Sequence, residues 1–244
     1  HGSARVVDIP LDYDTETLEE ATLELVRRNE FPSCYLRHIA FLGAGSMGLY
    51  PKENPTRVAI LAWPWGTYLG EEGMTKGIRI RVSSFTRHHV NAVMCRAKAN
   101  GNYMNSMMAL KEALDTGYDE ALLLDVNGFV MEGSGENIFI VRDGVLYTPD
   151  LTSALDGITR RTVIRLAEDE GLKVIEKRIT RDEVYIADEA FFTGTAAEVT
   201  PIRELDGRKI GSGTRGPITE KLQAKYFDVV HGRSPVHEEW LTYV

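Results

Sequence analysis

The chain has 244 residues, enough for one large domain or two small ones. Its 28 Lys and Arg against 36 Asp and Glu give a formal net charge of −8, which excludes the basic footprint of a nucleic-acid binder. With 43% hydrophobic and 26% charged residues, no apolar run near the roughly 20 residues of a membrane span and no apolar leader, a cytoplasmic globular protein without a membrane partner is expected. Cys34 and Cys95 match no metal or redox spacing, and the histidines lack carboxylates at zinc-ligand spacing, so no metal site is expected.

Residues 14–28 read as a helix capped by Asp14, with Leu18, Ala21, Leu25 and Val26 on one face. After Pro32 the period becomes two, and Tyr35, Arg37, Ile39 and Phe41 share one face of a strand. Val58–Trp63 is an unbroken apolar run, which predicts a strand central in its sheet. Pro64 and the glycines at 66 and 70 mark a connection, and the domain boundary is placed at residues 64–75. From Ile78 the chain alternates again, with Ile78, Ile80 and Val82 opposite Arg79 and Arg81. Tyr103, Met107, Leu110 and Leu114 form one stripe of a helix that stops near Gly117. Hairpins are expected at Asn127-Gly128 and Asp143-Gly144, dipeptides that favour primed turns. A helix over 159–170 ends at Gly171, strands follow at about 172–179 and 189–193, and a last helix runs over 218–230 behind Pro217. Strands mixed with helices without regular βαβ alternation indicate an α+β class.

Lys98 stands between a strand and a helix, flanked by Ala97 and Ala99, which leave room for a ring beside its amine. A lysine that attacks a carbonyl needs that amine neutral, through desolvation or nearby positive charge; most lysines at such a place are simply solvated. In Glu132-Gly133-Ser134-Gly135-Glu136-Asn137 the glycines let backbone approach a ligand, and Glu132 offers a carboxylate for a heteroaromatic nitrogen; a plain strand connection reads equally well. Gly157-Ile158-Thr159 opens a helix whose free amides favour an anion such as phosphate, and Thr193-Gly194-Thr195-Ala196 offers hydroxyls and amides after a strand. Neither is a P-loop. The residues alone therefore suggest an anion site, one amine and one carboxylate, which suits many enzymes.

In this order and at these separations, CYLRHIAFLG, AWPWGTYLGEEG, SSFTRHHVN, RAKANGNYMNS, GYDEALLLD, EGSGENIF, LDGITRRTVI and FFTGTAAEVTPI resemble class IV aminotransferases, most closely the bacterial branched-chain amino-acid type. The resemblance covers the chain from about residue 20 to its end. It implies two domains: a small α/β domain, N-terminally truncated here, over 1–63, joined by a loop over 64–75 to a larger pseudo-barrel α+β domain over 76–244 that binds pyridoxal phosphate. Lys98 would carry the cofactor covalently and shuttle the proton, Glu132 would pair with its ring nitrogen, and Tyr103 would bond its 3′ oxygen. Gly157, Ile158, Thr159 and Thr195 would hold the phosphate. Tyr35, Arg37, Trp65, Tyr68, Thr195 and Ala196 would contact the substrate. The implied reaction is transamination of leucine, isoleucine and valine with 2-oxoglutarate. Other class IV activities, on D-amino acids, (R)-amines or aminodeoxychorismate, and an inactive truncated homologue are the alternatives. A homodimer or higher homo-oligomer is implied. His38 stands where the family has a proline. His1–Arg5 aligns inside the small domain, so the family's preceding pocket aromatics and a phosphate-binding arginine are expected to be missing and cofactor retention to be weak.

Overall fold

The structure, a computed structural model, describes residues 1–51, 53–66 and 70–244. Two compact units divide it, His1–Gly66 with Thr242–Val244, and Thr67–Leu241.

The first unit contains α1 (Gly2–Val6), α2 (Thr15–Asn29), β1 (Tyr35–Leu42) and β2 (Thr56–Trp63). Asp14 starts α2 as expected, since its Oδ1 accepts the Thr17 amide at 2.8 Å, and Glu30 ends it in the left-handed region at φ 50°. The two strands pair antiparallel from Tyr35↔Trp63 to Leu42↔Thr56. His38 reaches α2, where its Nε2 lies 2.8 Å from the Thr22 hydroxyl, so the position that departs from the family pattern has a polar partner. The opposite face carries Tyr35, Arg37 and Phe41 beside Trp63 and Leu61. The central place expected for 58–63 is not found: among the described residues β2 belongs to a two-stranded sheet, and α2 packs on it.

The second unit opens with α3 (Gly70–Lys76), a helix where the sequence suggests a connecting loop. It is tied down by the Met74 carbonyl, which accepts a hydrogen bond from Gln223 at 3.0 Å. Then follow β3 (Ile78–Val82), a short 3₁₀ turn at Asn100–Asn102, α4 (Tyr103–Asp115), β4 (Glu120–Leu124), β5 (Val130–Gly133), β6 (Asn137–Arg142) and β7 (Val145–Thr148). The chain continues through α5 (Ile158–Asp169), β8 (Val174–Glu176), α6 (Arg181–Tyr185), β9 (Glu189–Gly194), β10 (Glu198–Leu205), β11 (Arg208–Lys209) and α7 (Pro217–Val230). Strands β3, β4, β5, β6, β9 and β10 pair in that order and β10 returns to β3, which closes a six-stranded barrel. The α+β pseudo-barrel expectation holds.

Alternation along the barrel strands sorts their side chains into two cores. Ile80, Leu122, Ile138 and Phe192 point into one cluster contributed by all six strands, while Phe139, Phe191 and Val199 pack outward against Val163 of α5 and Leu222 of α7. The expected stripe on α4 is wrong. Met107 is 69% exposed and Leu114 54%, and the buried residues are Ser106, Ala109 and Ala113, whose small side chains let the helix lie close on Ala121 and Leu123 of β4. Asp143 (φ 50°) and Gly144 (φ 74°) make the expected primed turn. At 127–128 only Gly128 has positive φ, because Asp125 organises a longer loop by accepting the amides of Asn127 and Phe129. The strand expected over 172–179 is pared to β8, with Ile179 joined to Val130 by a single bridge.

Candidate active site

Lys98 lies in the segment between β3 and α4, with its neighbours Cys95 and Ala97 buried and its own side chain exposed. The 3₁₀ turn after it brings Tyr103, first residue of α4, back to the lysine, and Nζ donates to the Tyr103 hydroxyl at 2.7 Å. Asn102 fixes that geometry from beneath, since its amide group donates to the carbonyls of Met94 and Ala97.

Glu132 sits on β5 at 4% exposure, paired across the barrel wall with Asn137 of β6. Cross-strand neighbours share a face, and both side chains grip the same loop. The Leu155 amide donates to Glu132 Oε2 at 3.0 Å, and its carbonyl accepts from Asn137 Nδ2 at 2.8 Å. The loop is thereby placed so that Gly157 begins α5. A Cβ at Gly157 would lie 2.1 Å from Asn137 Oδ1, which is why glycine stands there.

The other carboxylate oxygen, Glu132 Oε1, is 2.7 Å from Arg87 Nε, with both side chains buried. The approach is off the N–H direction, and neither atom has a hydrogen-bond partner among the described residues. Burial raises the Glu132 carboxyl above its usual range, and the Arg87 charge opposes that shift, followed by the Leu155 amide and more weakly by Lys98. Lys98 is therefore close enough to act on Glu132. Arg87 is held by Asn105 and Ser106 of α4 and, through its amide, by the Leu124 carbonyl of β4.

At the start of α5, Gly157 supplies no side-chain cap, so the first-turn amides are not occupied from that position. Thr159 is buried and Ile158 is 71% exposed. Thr195 is exposed and Ala196 half-buried in the turn between β9 and β10; Gly194 before them packs against Gly135 and Glu136. In the first unit Tyr35, Trp63 and Trp65 form an aromatic group with centroids 4.7–5.6 Å apart, and the exposed Arg37 guanidinium lies 5.6 Å from the Tyr35 ring. Among the described residues no ion pair involves Arg37. Tyr68 lies outside the described residues.

The second unit thus brings Lys98, Tyr103 and Glu132 to one region, with Glu132 also tied to the loop ahead of Gly157, Ile158 and Thr159. Two contributors escaped sequence reasoning. Arg87 looks like any charged residue after a strand, and only its burial exposes the role. Asn137 is legible solely as the last residue of the glycine-rich segment.

A barrel of this connectivity, carrying a lysine on a tyrosine and a buried glutamate, matches a known family. Residues 1–205 fit the model described as Amino-transferase class IV, and the chain belongs to that family. Among its relatives, the branched-chain-amino-acid aminotransferase of Pseudomonas aeruginosa is 58% identical over 99% of this chain and 79% of its own length. That of Escherichia coli K12 is 43% identical over 100% and 80%. Of solved structures, the T.th. branched-chain amino acid aminotransferase with pyridoxamine 5′-phosphate superposes with a TM-score of 0.96 at 51% identity, covering 99% of this chain and 80% of that one. The Escherichia coli enzyme gives 0.97 at 43% identity over 100% and 81%. The described residues contain no helix long and apolar enough to cross a membrane.

Proposed function

We propose that this chain is a pyridoxal-phosphate-dependent aminotransferase that moves the amino group of leucine, isoleucine or valine to 2-oxoglutarate. The observation that carries it is the Lys98 amine held on the Tyr103 hydroxyl at 2.7 Å, within electrostatic reach of buried Glu132. The relatives named above support the substrate class. The cofactor fits the residues present: Glu132 Oε1 is a buried acceptor without a hydrogen bond among the described residues, and the α5 N-terminus has no side-chain cap.

When bound, pyridoxal phosphate supplies the carbonyl carbon that receives the amino group and the ring that withdraws electrons from the substrate Cα. Lys98 is the residue to anchor it and to carry a proton between Cα and the cofactor's C4′ carbon. Tyr103 would orient the ring through its 3′ oxygen. Glu132 would accept from the ring nitrogen, and the Arg87 charge favours the ionised carboxylate against the cost of burial. Gly157, Ile158 and Thr159 offer the phosphate the amides and positive end of α5, with Thr195 adding its hydroxyl. Substrate contacts are assigned to Tyr35, Arg37, Trp65, Tyr68, Thr195 and Ala196. Apolar side chains are discriminated only weakly, by about 1–3 kcal/mol per methylene, so all three branched substrates are expected to react. A cytoplasmic homo-oligomer, at least a dimer, completes the reading; light scattering of the purified protein checks the assembly.

The test is glutamate formation from leucine and 2-oxoglutarate by purified protein given pyridoxal phosphate. Lys98→Ala should reduce it to background and remove the visible absorbance that leucine discharges. A donor panel in which D-amino acids or (R)-amines outperform leucine, isoleucine and valine would overturn the substrate assignment.

A further inference from the structure

One hydroxyl beside the start of α5 has no use in the reaction just described. Thr193, near the end of β9, is 1% exposed, and its Oγ1 is buried without a hydrogen bond among the described residues. It pairs across the sheet with Asn137 of β6, and Asn137 pairs in turn with Glu132 of β5. Directly paired residues share a face, so Glu132, Asn137 and Thr193 form one row over three strands, its ends about 9–10 Å apart. The row lies under the first turn of α5, since Asn137 Oδ1 stands 2.1 Å from where a Gly157 Cβ would be. Two residues further along the same face, Phe139 and Phe191 pack with Val163, and Thr159 precedes Val163 by one turn of α5.

That helix end is open to an anion. The amides of Ile158, Thr159 and Arg160 precede the first helical bond, from the Arg161 amide to the Gly157 carbonyl at 3.1 Å, and Gly157 brings no side-chain cap. Asp156, one residue before, is drawn to Arg96 and Arg161 at 3.6 and 3.7 Å, and its Oδ1 accepts no hydrogen bond among the described residues. The Thr159 side chain is engaged with the Tyr226 phenol of α7, whereas the Thr193 hydroxyl has no partner among the described residues.

We propose that the Thr193 hydroxyl donates to a phosphate group seated at the start of α5: the cofactor's phosphate in the loaded protein, and inorganic phosphate in its absence. The aligned amides and the helix dipole favour a dianion there. A buried hydroxyl that lowers stability while unpaired gains a charged acceptor. Glu132, at the far end of the same row, is left for the ring nitrogen, so the row receives the two polar ends of one small molecule. For the cofactor this rests on the function proposed above; for inorganic phosphate it does not.

Cofactor-free protein in phosphate-free buffer tests the site apart from the function. Thr193→Val keeps the shape of the side chain and removes its hydroxyl. Because an unpaired buried group is lost, it should raise the melting temperature without ligand, while weakening binding of inorganic phosphate and of pyridoxal phosphate by about tenfold. Thr193→Ser should stay within about threefold of wild type for both, and pyridoxal, which lacks the phosphate, should bind wild type and Thr193→Val within about twofold of each other. A hydroxyl with only a structural role would instead lower the melting temperature when lost, and its loss would weaken pyridoxal as much as pyridoxal phosphate. Either result, or equal phosphate affinity of wild type and Thr193→Val, would overturn the proposal. So would wild-type NMR spectra in which the Thr193 methyl and Ile158 amide signals stay still as inorganic phosphate is added, a reading that stands even if a variant does not fold. Phosphate binding that depends on the Thr193 hydroxyl, without pyridoxal phosphate binding or leucine activity, would support the site and count against the function.

Discussion

The small sheet and the barrel use the same kinds of residue to opposite effect. In the barrel Ile80, Leu122 and Phe139 are fully buried; among the described residues 1–66 not one side chain reaches that state, and Phe41 and Leu61 stay 42% and 46% exposed. The difference lies in closure. Six strands joined into a ring have no free edge and enclose an inner face, while their outer face is covered by α4, α5 and α7. Among the described residues of the first unit, two strands form an open sheet and α2 packs on β2. The buried Arg87–Glu132 pair is accordingly held on the barrel, where β5 and β6 can be fixed from both sides.

The largest effect that tests this comparison is Arg87→Ala. It strands Glu132 as an uncompensated buried charge and should cost about 3–5 kcal/mol in chemical denaturation; a cost like that of a surface mutation would mean the pair does not bear on the barrel's integrity. Next comes one substitution made in both regions. Leu123→Ala, at a fully buried position, should lose about 2–5 kcal/mol, whereas Leu61→Ala should stay within about 0.5 kcal/mol. Equal losses would break the comparison outright.

Within the small unit, secondary structure depends more on local chemistry than on a core. Asp14→Ala removes the α2 cap and should show as increased amide exchange in the first turn of that helix. The smallest effect is a pH dependence at the end of the second unit. His237 stacks on Trp240 with centroids 3.8 Å apart and holds Asp169 at 2.5 Å, and that hydrogen bond raises its pKa above 6.5, Glu239 adding to the shift. The charged contact is fully present below pH 6.5 and is lost as pH rises through the raised folded value. His237→Gln should abolish that step in exchange of the 234–241 segment, and an NMR titration of the His237 ring showing a pKa below 6.5 would contradict it.

How much was readable follows from the range over which each feature is decided. Asp14, Gly171 (φ 70°), the Asp143-Gly144 turn and Pro217 at the start of α7 act within a few residues, and each element they mark lies where expected. The alternation of Ile78, Ile80 and Val82 was equally local. The α4 stripe failed because hydrophobicity alone favours Met107 and Leu114, while close approach to β4 favours Ala109 and Ala113. For the site, Lys98 and Tyr103 are neighbours along the chain, and Glu132 lies in a recognisable segment. Arg87 and Asn137 were missed because their value comes from what the fold buries beside them.

By itself, then, the sequence determined the starts of α2 and α7, the primed turn at Asp143-Gly144, the class of fold and, through the order of its motifs, the family. Tertiary structure alone decided which strand closes the barrel: β9 inserts between β6 and β10, a pairing no periodicity encodes. It also decided how each buried carboxyl is compensated. Glu120, Glu132 and Glu136 are the same residue type in the sequence, yet among the described residues only Glu132 forms an ion pair with an arginine. Capping and turn preferences are properties of a few adjacent residues, whereas desolvation and charge pairing depend on groups that meet only after the chain has folded.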